Sequence, residues 1–261
     1  MPSLNLLTKI YNSSQLQKVD RNLDSLVEGL KVKIEILGAN TQGWVQVSVS
    51  GEDEKVAEHL LADTFGFCPT NLDKVSKYET VKGYLTDLGK SRNELWVDIG
   101  VWFPSRVNAR IPIHRLQAQL CEGRKIALQK MIDIFGFCDN LPLQVKISSI
   151  DLQKRYLEAE LPERQRKQYA DWTRSLLDRL VVLGASLSEV KSAIRMADSN
   201  RDVAKIEQLG MFEQSIVCKL GTDAAGLIPK IGKTLRRTTF SVFSPRRILG
   251  LLGNDSALFI S

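Results

Sequence analysis

The chain has 261 residues, 43% of them hydrophobic and 25% charged, with a formal net charge of +6. That composition excludes a wholly disordered chain, and the length fits two or three small domains better than a single core. No apolar run reaches the roughly 18 residues of a membrane span, and the opening MPSLNLLTKIYN lacks the order of a signal peptide; the expectation is a cytosolic protein with no membrane contact.

The charge is unevenly spread. Residues 1–76 carry 7 basic and 10 acidic side chains, residues 77–163 carry 13 and 11, and the remaining 98 carry 16 and 9. An anionic partner is therefore to be sought first in the last third. Cys68, Cys121, Cys138 and Cys218 are widely scattered, with no C-x-x-C pair and only two histidines beside them. Neither a zinc site nor a disulfide is expected, and no cofactor is implied.

In the first segment, SLNLLTKIY reads as a strand, and Leu16, Val19, Leu23, Leu26, Val27 and Leu30 recur at helical spacing after a serine. KVKIEILG and WVQVSVSG alternate, with Val32, Ile34 and Ile36 on one face and Val45, Val47 and Val49 on another. The loop GANTQG joins them as a hairpin. A helix follows over EDEKVAEHLLADTFG, with Val56, Leu60 and Leu61 inward and acids at its first turn. Strand, helix, hairpin, helix is the order of a ferredoxin-like α+β module.

That helix ends in DTFGFC at 63–68, and a second one ends in DIFGFC at 133–138. Gly66 and Gly136 fit the left-handed residue just beyond a helix, with Phe67 and Phe137 folding back onto the last turn. On this reading the repeat is a stop signal, and Cys68 and Cys138 pack as small apolar residues. A metal or redox role is the competing reading, set back by the scarcity of other ligands.

The middle segment holds five strand signals, in TVKGYLTDLG, ELWVDIGVWF, VNARIPI, LPLQVKISSID and RYLEAEL, with a helical stretch between the third and fourth. A small closed barrel is expected. The order VKGYLTDL, ELWVDIGVW, ARIPIHRL and LQVKISSIDLQKRYLEAEL resembles the S-one RNA-binding domain, an oligonucleotide-binding (OB) barrel, with a helical insertion before its last hairpin. The resemblance implies a nucleic-acid face at Trp96, His114, Asp151 and Arg155. One position departs from it: Asn93 stands where that family has a second aromatic ring. In ELWVDIGVW the alternation puts Trp96 on the face of Glu94 and Asp98, where it could stack on a base or lie beneath the inserted helix.

In the last segment RQRKQYADWTRSLLDR is helical with Tyr169, Trp172, Leu176 and Leu177 inward, and RLVVLG is a buried strand. SLSEVKSAIRMA opens with a capping box, Ser186 and Glu189. Two strands, a helix over DAAGLIPKIGKTLRR and the strand TTFSVFSP complete a second ferredoxin-like unit. The Gly-Lys-Thr at 232–234 is not a phosphate loop, because the required earlier glycine would fall at position 227, which is leucine. LIPKIGKTL is similar to the glycine loop of KH domains, but Pro229 occupies its first glycine. Residues 226–247 still contain Lys230, Lys233, Arg236, Arg237, Arg246 and Arg247 and no acid. They can track phosphates, or simply solvate a helix end and offset its dipole.

CKLGTDAAGLIPKIGKTL and the three-part layout resemble an archaeal protein family that carries a domain-of-unknown-function label, which implies an archaeal cytosolic protein and no activity. None of H-E-x-x-H, G-x-S-x-G or G-x-G-x-x-G occurs. Asp87, Glu94 and Asp98 read as solvated acids rather than an acid–base pair. The expected fold is α+β: a ferredoxin-like module at 1–76, a five-stranded OB/S-one-like barrel with a helical insertion at 77–162, a basic ferredoxin-like module at 163–250 and a flexible tail at 251–261. The expected role is non-catalytic binding of single-stranded RNA, with an adaptor for transcription or translation proteins as the alternative; the oligomeric state stays open.

Overall fold

A computed structural model describes residues 3–253. The chain divides into two compact units. One runs up to Val75 and takes in Gly100–Arg106; the other joins Ser76–Ile99 to the described chain from Val107 onward.

In the first unit, β1 (Ser3–Lys9), α1 (Leu16–Leu26), β2 (Val32–Ala39), β3 (Trp44–Gly51) and α2 (Glu54–Thr64) form a sheet in the order β1-β3-β2, antiparallel throughout. Alternation in β3 buries Val45, Val47 and Val49, and these meet Leu6, Val19, Leu23 and Leu61 in the core. The hairpin is closed by the Asn40 side chain, whose Oδ1 accepts from the backbone N–H groups of Gln42 at 2.9 Å and Trp44 at 3.0 Å. Val56, expected inward, is instead exposed, and Ala57 takes the buried position of that turn. One step of the helical wheel separates the two, and the smaller side chain fits against the sheet.

The repeated ending does stop both helices. Gly66 has φ 74° and Gly136 has φ 65°; the N–H of Gly66 reaches the Leu61 carbonyl at 3.1 Å, and that of Phe137 reaches Ile132 at 3.0 Å. Each copy then delivers the chain to the edge strand of a sheet. Leu7 donates to Gly66 O at 3.0 Å and Cys68 to Asn5 O at 2.8 Å, so Phe67 bridges β1 where a fourth strand would lie. All four cysteines are free thiols, and Cys68, Cys121 and Cys218 are buried.

The second unit contains the barrel, made by β4 (Thr80–Thr86), β5 (Glu94–Val101), β6 (Val107–Pro112), β8 (Tyr156–Glu160) and β7 (Pro142–Asp151), closed in that order. β6 and β8 run parallel, with Ala109 opposite Leu157. Leu95, Val97, Ala109, Ile111, Val145, Ile147 and Leu157 fill the interior. Helices α3 (Ile113–Leu120) and α4 (Leu128–Phe135) are inserted between β6 and β7.

After α5 (Glu163–Arg174) come β9 (Arg179–Leu183), α6 (Leu187–Met196), β10 (Val203–Gln208), β11 (Glu213–Cys218), α7 (Ala224–Ile231), β12 (Thr239–Phe243) and α8 (Pro245–Leu252). The sheet order β10-β11-β9-β12, antiparallel at every pair, is that of a ferredoxin-like unit. Leu180 and Val182 face α6 and α7. The opposite face carries Phe243, which stacks with Tyr169 and meets Trp172 edge-on, continuing through Phe135 and Phe137 of the insertion. Gly136 meets edge strand β12, where Ser241 Oγ donates to its carbonyl at 2.7 Å. The capping box forms, Ser186 N–H donating to Glu189 at 2.9 Å.

Three boundaries differ from expectation. α5 ends at Arg174, and Leu176, in left-handed backbone with φ 55°, points outward. α7 ends at Ile231 with Pro229 inside it, so Arg236 and Arg237 lie in the following turn and not on the helix. The expected tail begins as helix: α8 buries Ile248 and Leu252, and Arg124 donates to the carbonyls of Leu251 and Leu252 at 2.7 Å each. The remainder of that tail, 254–261, lies outside the described residues. Among the described residues no helix is long and apolar enough to cross a membrane.

Candidate nucleic-acid interface

The outer face of β5, β6 and β8 is built by alternation. In β5, Leu95, Val97 and Ile99 enter the barrel, leaving Glu94 and Trp96 outside. In β6, Arg110 stands between buried Ala109 and Ile111. In β8, Tyr156 precedes buried Leu157 and sits opposite Asp151. Because these three strands are neighbours, their outward side chains meet.

Arg110 is the centre of the group. Its guanidinium carbon lies 5.2 Å from the Trp96 ring centroid and 5.0 Å from that of Tyr156, within cation–π range of both. The Glu94 carboxylate ties all three together: it accepts from Trp96 Nε1 at 3.2 Å, from Arg110 Nη1 at 3.4 Å and from the Tyr156 hydroxyl at 3.3 Å. Burial, then the charges of Glu94 and Glu158, push the Tyr156 phenol up, so it stays a neutral donor. Beside this group Arg115 bridges Glu158 at 2.8 Å and Glu160 at 2.9 Å. All four members of the cluster are half-buried, so each ring keeps an accessible portion. Two rings locked around a planar cation form a rigid surface on which a base can stack at little entropic cost.

The other residues implied by the barrel resemblance are placed around this group. His114 is exposed on the first turn of α3, beside Ile113, whose N–H donates to Asn93 O at 2.7 Å. Asp151 and Arg155 flank the β7–β8 turn, where Asp151 Oδ1 accepts from Lys154 N at 2.9 Å and Arg155 has φ 49°. Asp98, read from sequence as solvated, is buried: it pairs in register with Tyr84, where the sheet is covered. Arg110, Tyr156 and Glu94 were missed as a group. The signal was present in the alternation of VNARIPI and RYLEAEL, which sends Arg110 and Tyr156 to the same side as Trp96.

The late cations are dispersed and exposed. Lys230 Nζ pairs with Asp202 at 3.2 Å, and Arg236 Nε donates to Lys233 O at 3.3 Å. Lys233, Arg236 and Arg237 share one turn. Arg246 and Arg247, expected beside a strand, occupy the first turn of α8 and line separate depressions, Arg246 with Asp178 and Asp223, Arg247 with Lys130 and Asp133. Among the described residues no hydrogen bond, ion pair or ring contact joins these six cations to Trp96. Nor does any group of three or more His, Cys, Asp or Glu stand ready to hold a metal ion.

Three family models match the chain in succession: the DUF2110 N-terminal domain over residues 3–71, the DUF2110 central domain over 75–173 and the DUF2110 C-terminal domain over 177–243. No curated protein matches the sequence. Among solved structures, the chain is similar to one from the a/eIF2alpha–aDim2p–rRNA complex of Pyrococcus horikoshii OT3, with 12% identity over 49% of this chain and 70% of that one, at a TM-score of 0.26. It is also similar to the intact alpha subunit of aIF2 from Pyrococcus abyssi, with 9% identity over 65% of this chain and 96% of that one, also at 0.26.

Proposed function

This chain belongs to the DUF2110 family, and we propose that it is an archaeal cytosolic protein that binds single-stranded RNA on its barrel and catalyses no reaction. The observation that supports this reading is the array of Trp96, Arg110 and Tyr156 gathered by Glu94 on one barrel face. Bases of any sequence stack on such rings, while Arg155 and the exposed cations at 230–247 draw the phosphates. The test is fluorescence anisotropy of a short labelled single-stranded RNA against its duplex, across a KCl series. Saturable binding that favours the single strand, weakens with salt and is lost in Trp96→Ala supports the reading. Equal binding by Trp96→Ala, or none by either protein, overturns it.

A second reading, an adaptor for transcription or translation proteins, is favoured by a different observation. Trp102 and Phe103, in the first unit, are exposed and meet edge-on with ring centroids 6.2 Å apart, and exposed aromatic pairs are common anchors in protein interfaces. Co-purification with and without nuclease separates the readings: a stoichiometric protein that survives nuclease and is lost in Trp102→Ser/Phe103→Ser marks the adaptor.

A further inference from the structure

The second unit contains a cleft of about 720 Å³ on which the barrel reading does not draw. Lys82 and Gln144 from the barrel, Arg164 and Lys167 from α5, Arg179 from β9 and Lys205 from β10 line it. Five cations thus face two carboxylates, Asp171 and Glu207, both already engaged: Asp171 with Arg174 at 3.3 Å, Glu207 with Arg179 at 2.6 Å and Lys205 at 2.8 Å. Among the described residues Lys82, Arg164 and Lys167 have no ion pair.

Arg179 is the unusual member. It is only 4% exposed, and its guanidinium is oriented by the ion pair with Glu207 and by Trp172, whose ring centroid is 4.7 Å away. Both fixings leave one edge unused. Nη1 serves Glu207, whereas Nε is buried with no acceptor, and Nη2 has none either among the described residues. The Nε–Nη2 edge is the one that grips an oxyanion side-on through two parallel hydrogen bonds. Leaving the buried Nε unmade is costly, and a small shift of the side chain toward the cleft would let an oxyanion satisfy it together with Nη2. Lys82 agrees with this: burial, opposed by the Glu213 charge, pulls its ammonium below the usual lysine value, a cost that a bound anion would relieve.

We propose that this cleft binds a phosphate-bearing ligand of about nucleotide size, with the phosphate held by Arg179 and Lys82 and drawn in by Arg164, Lys167 and Lys205. The volume lies within the usual range for small-ligand sites, about 300–1,000 Å³. The polar lining of Gln144, Gln168 and Gln208 can hydrogen-bond the remainder of the ligand. The phosphate can come from a free small molecule or from the 5′ end of an RNA, and the site requires only the shared group.

The test is calorimetric titration of the full chain with inorganic pyrophosphate at constant ionic strength. It is paired with 5′-phosphorylated and 5′-hydroxyl forms of one oligoribonucleotide. Lys82→Gln/Lys167→Gln, which removes one half-buried and one exposed side chain without touching Arg179, should bind pyrophosphate about tenfold more weakly, and Trp96→Ala should bind it unchanged. That control keeps the result independent of the barrel reading. A preference for the 5′-phosphorylated RNA that disappears in the double variant assigns the phosphate to RNA ends. Equal affinity for the two RNAs with pyrophosphate still bound assigns it to a free ligand. Absence of saturable binding by pyrophosphate and of any 5′-phosphate preference, or affinities unchanged in the double variant, overturns the proposal.

Discussion

Arg110 faces Trp96 across two adjacent strands, its guanidinium carbon 5.2 Å from the ring centroid, and the same Glu94 oxygen accepts a hydrogen bond from each. The cation is therefore fixed by a carboxylate as well as by the ring, and the ring is fixed by the same carboxylate.

Removing either side chain should have distinguishable effects. Trp96→Ala deletes a stacking surface and should weaken RNA binding by about 1–3 kcal/mol, whereas Trp96→Phe should retain most of it. Arg110→Ala leaves Trp96 and Tyr156 in place but unclamped, with Glu94 short of a cationic partner. Its loss should be smaller for a base-stacking ligand, and anisotropy on the three variants checks the order.

The turn at 233–237 should act through charge alone. Arg236→Glu/Arg237→Glu is expected to weaken binding similarly for all sequences and to flatten the salt dependence, by roughly 0.7 in log–log slope for each single-strand phosphate that is no longer neutralised. A KCl titration of wild type and variant reads both quantities. The exposure of this turn means that the fold should be unaffected.

The two helix-ending glycines make a matched pair for stability. An alanine at either must adopt left-handed backbone, costing roughly 1–2 kcal/mol. At Gly66 the new Cβ would meet the Cδ1 end of Leu7 at 2.8 Å, which can rotate away; at Gly136 it would lie 2.6 Å from the Val242 carbonyl oxygen, which cannot. Urea midpoints should show Gly136→Ala as the more damaging substitution.

The thiols supply a pH dependence with a definite sign. Burial pushes Cys121 and Cys138 up to about 11 and Cys218 up to about 12, from a reference of 9.0. A folded-state value above the unfolded one means that the native chain holds its protons longer. The associated stability is complete below pH 9.0 and is lost as the pH rises toward 11 and 12. Thermal melts should fall across that window less steeply in Cys138→Ala than in wild type, and thiol reagents at mildly alkaline pH should react slowly until the chain is unfolded.

Much of the architecture could be read from local pattern. The five barrel strands and the order of the C-terminal elements followed from periodicities of 2 and 3.6, whereas the one inserted helix expected between the third and fourth strands is two, α3 and α4, parted at 121–127; the capping box and both Phe-Gly-Phe stops followed from backbone chemistry. Less legible were the ends of α5 and α7, where no glycine in left-handed backbone marks the stop. α7 stops at Ile231 although apolar spacing continues to Leu235, and α5 stops before Leu176.

Local pattern alone set which side chains leave the barrel, because alternation along a strand is fixed by the pleat. It also determined where two helices stop, because only glycine enters the left-handed region without a steric cost. Which of those outward side chains meet was decided by tertiary structure alone. Glu94, Arg110 and Tyr156 come together through the pairing of β6 with β8 and the closure of the barrel, and Arg179 comes to line a cationic cleft through the packing of a ferredoxin-like sheet beside α5. Those meetings join residues far apart in the chain, and no local spacing encodes them.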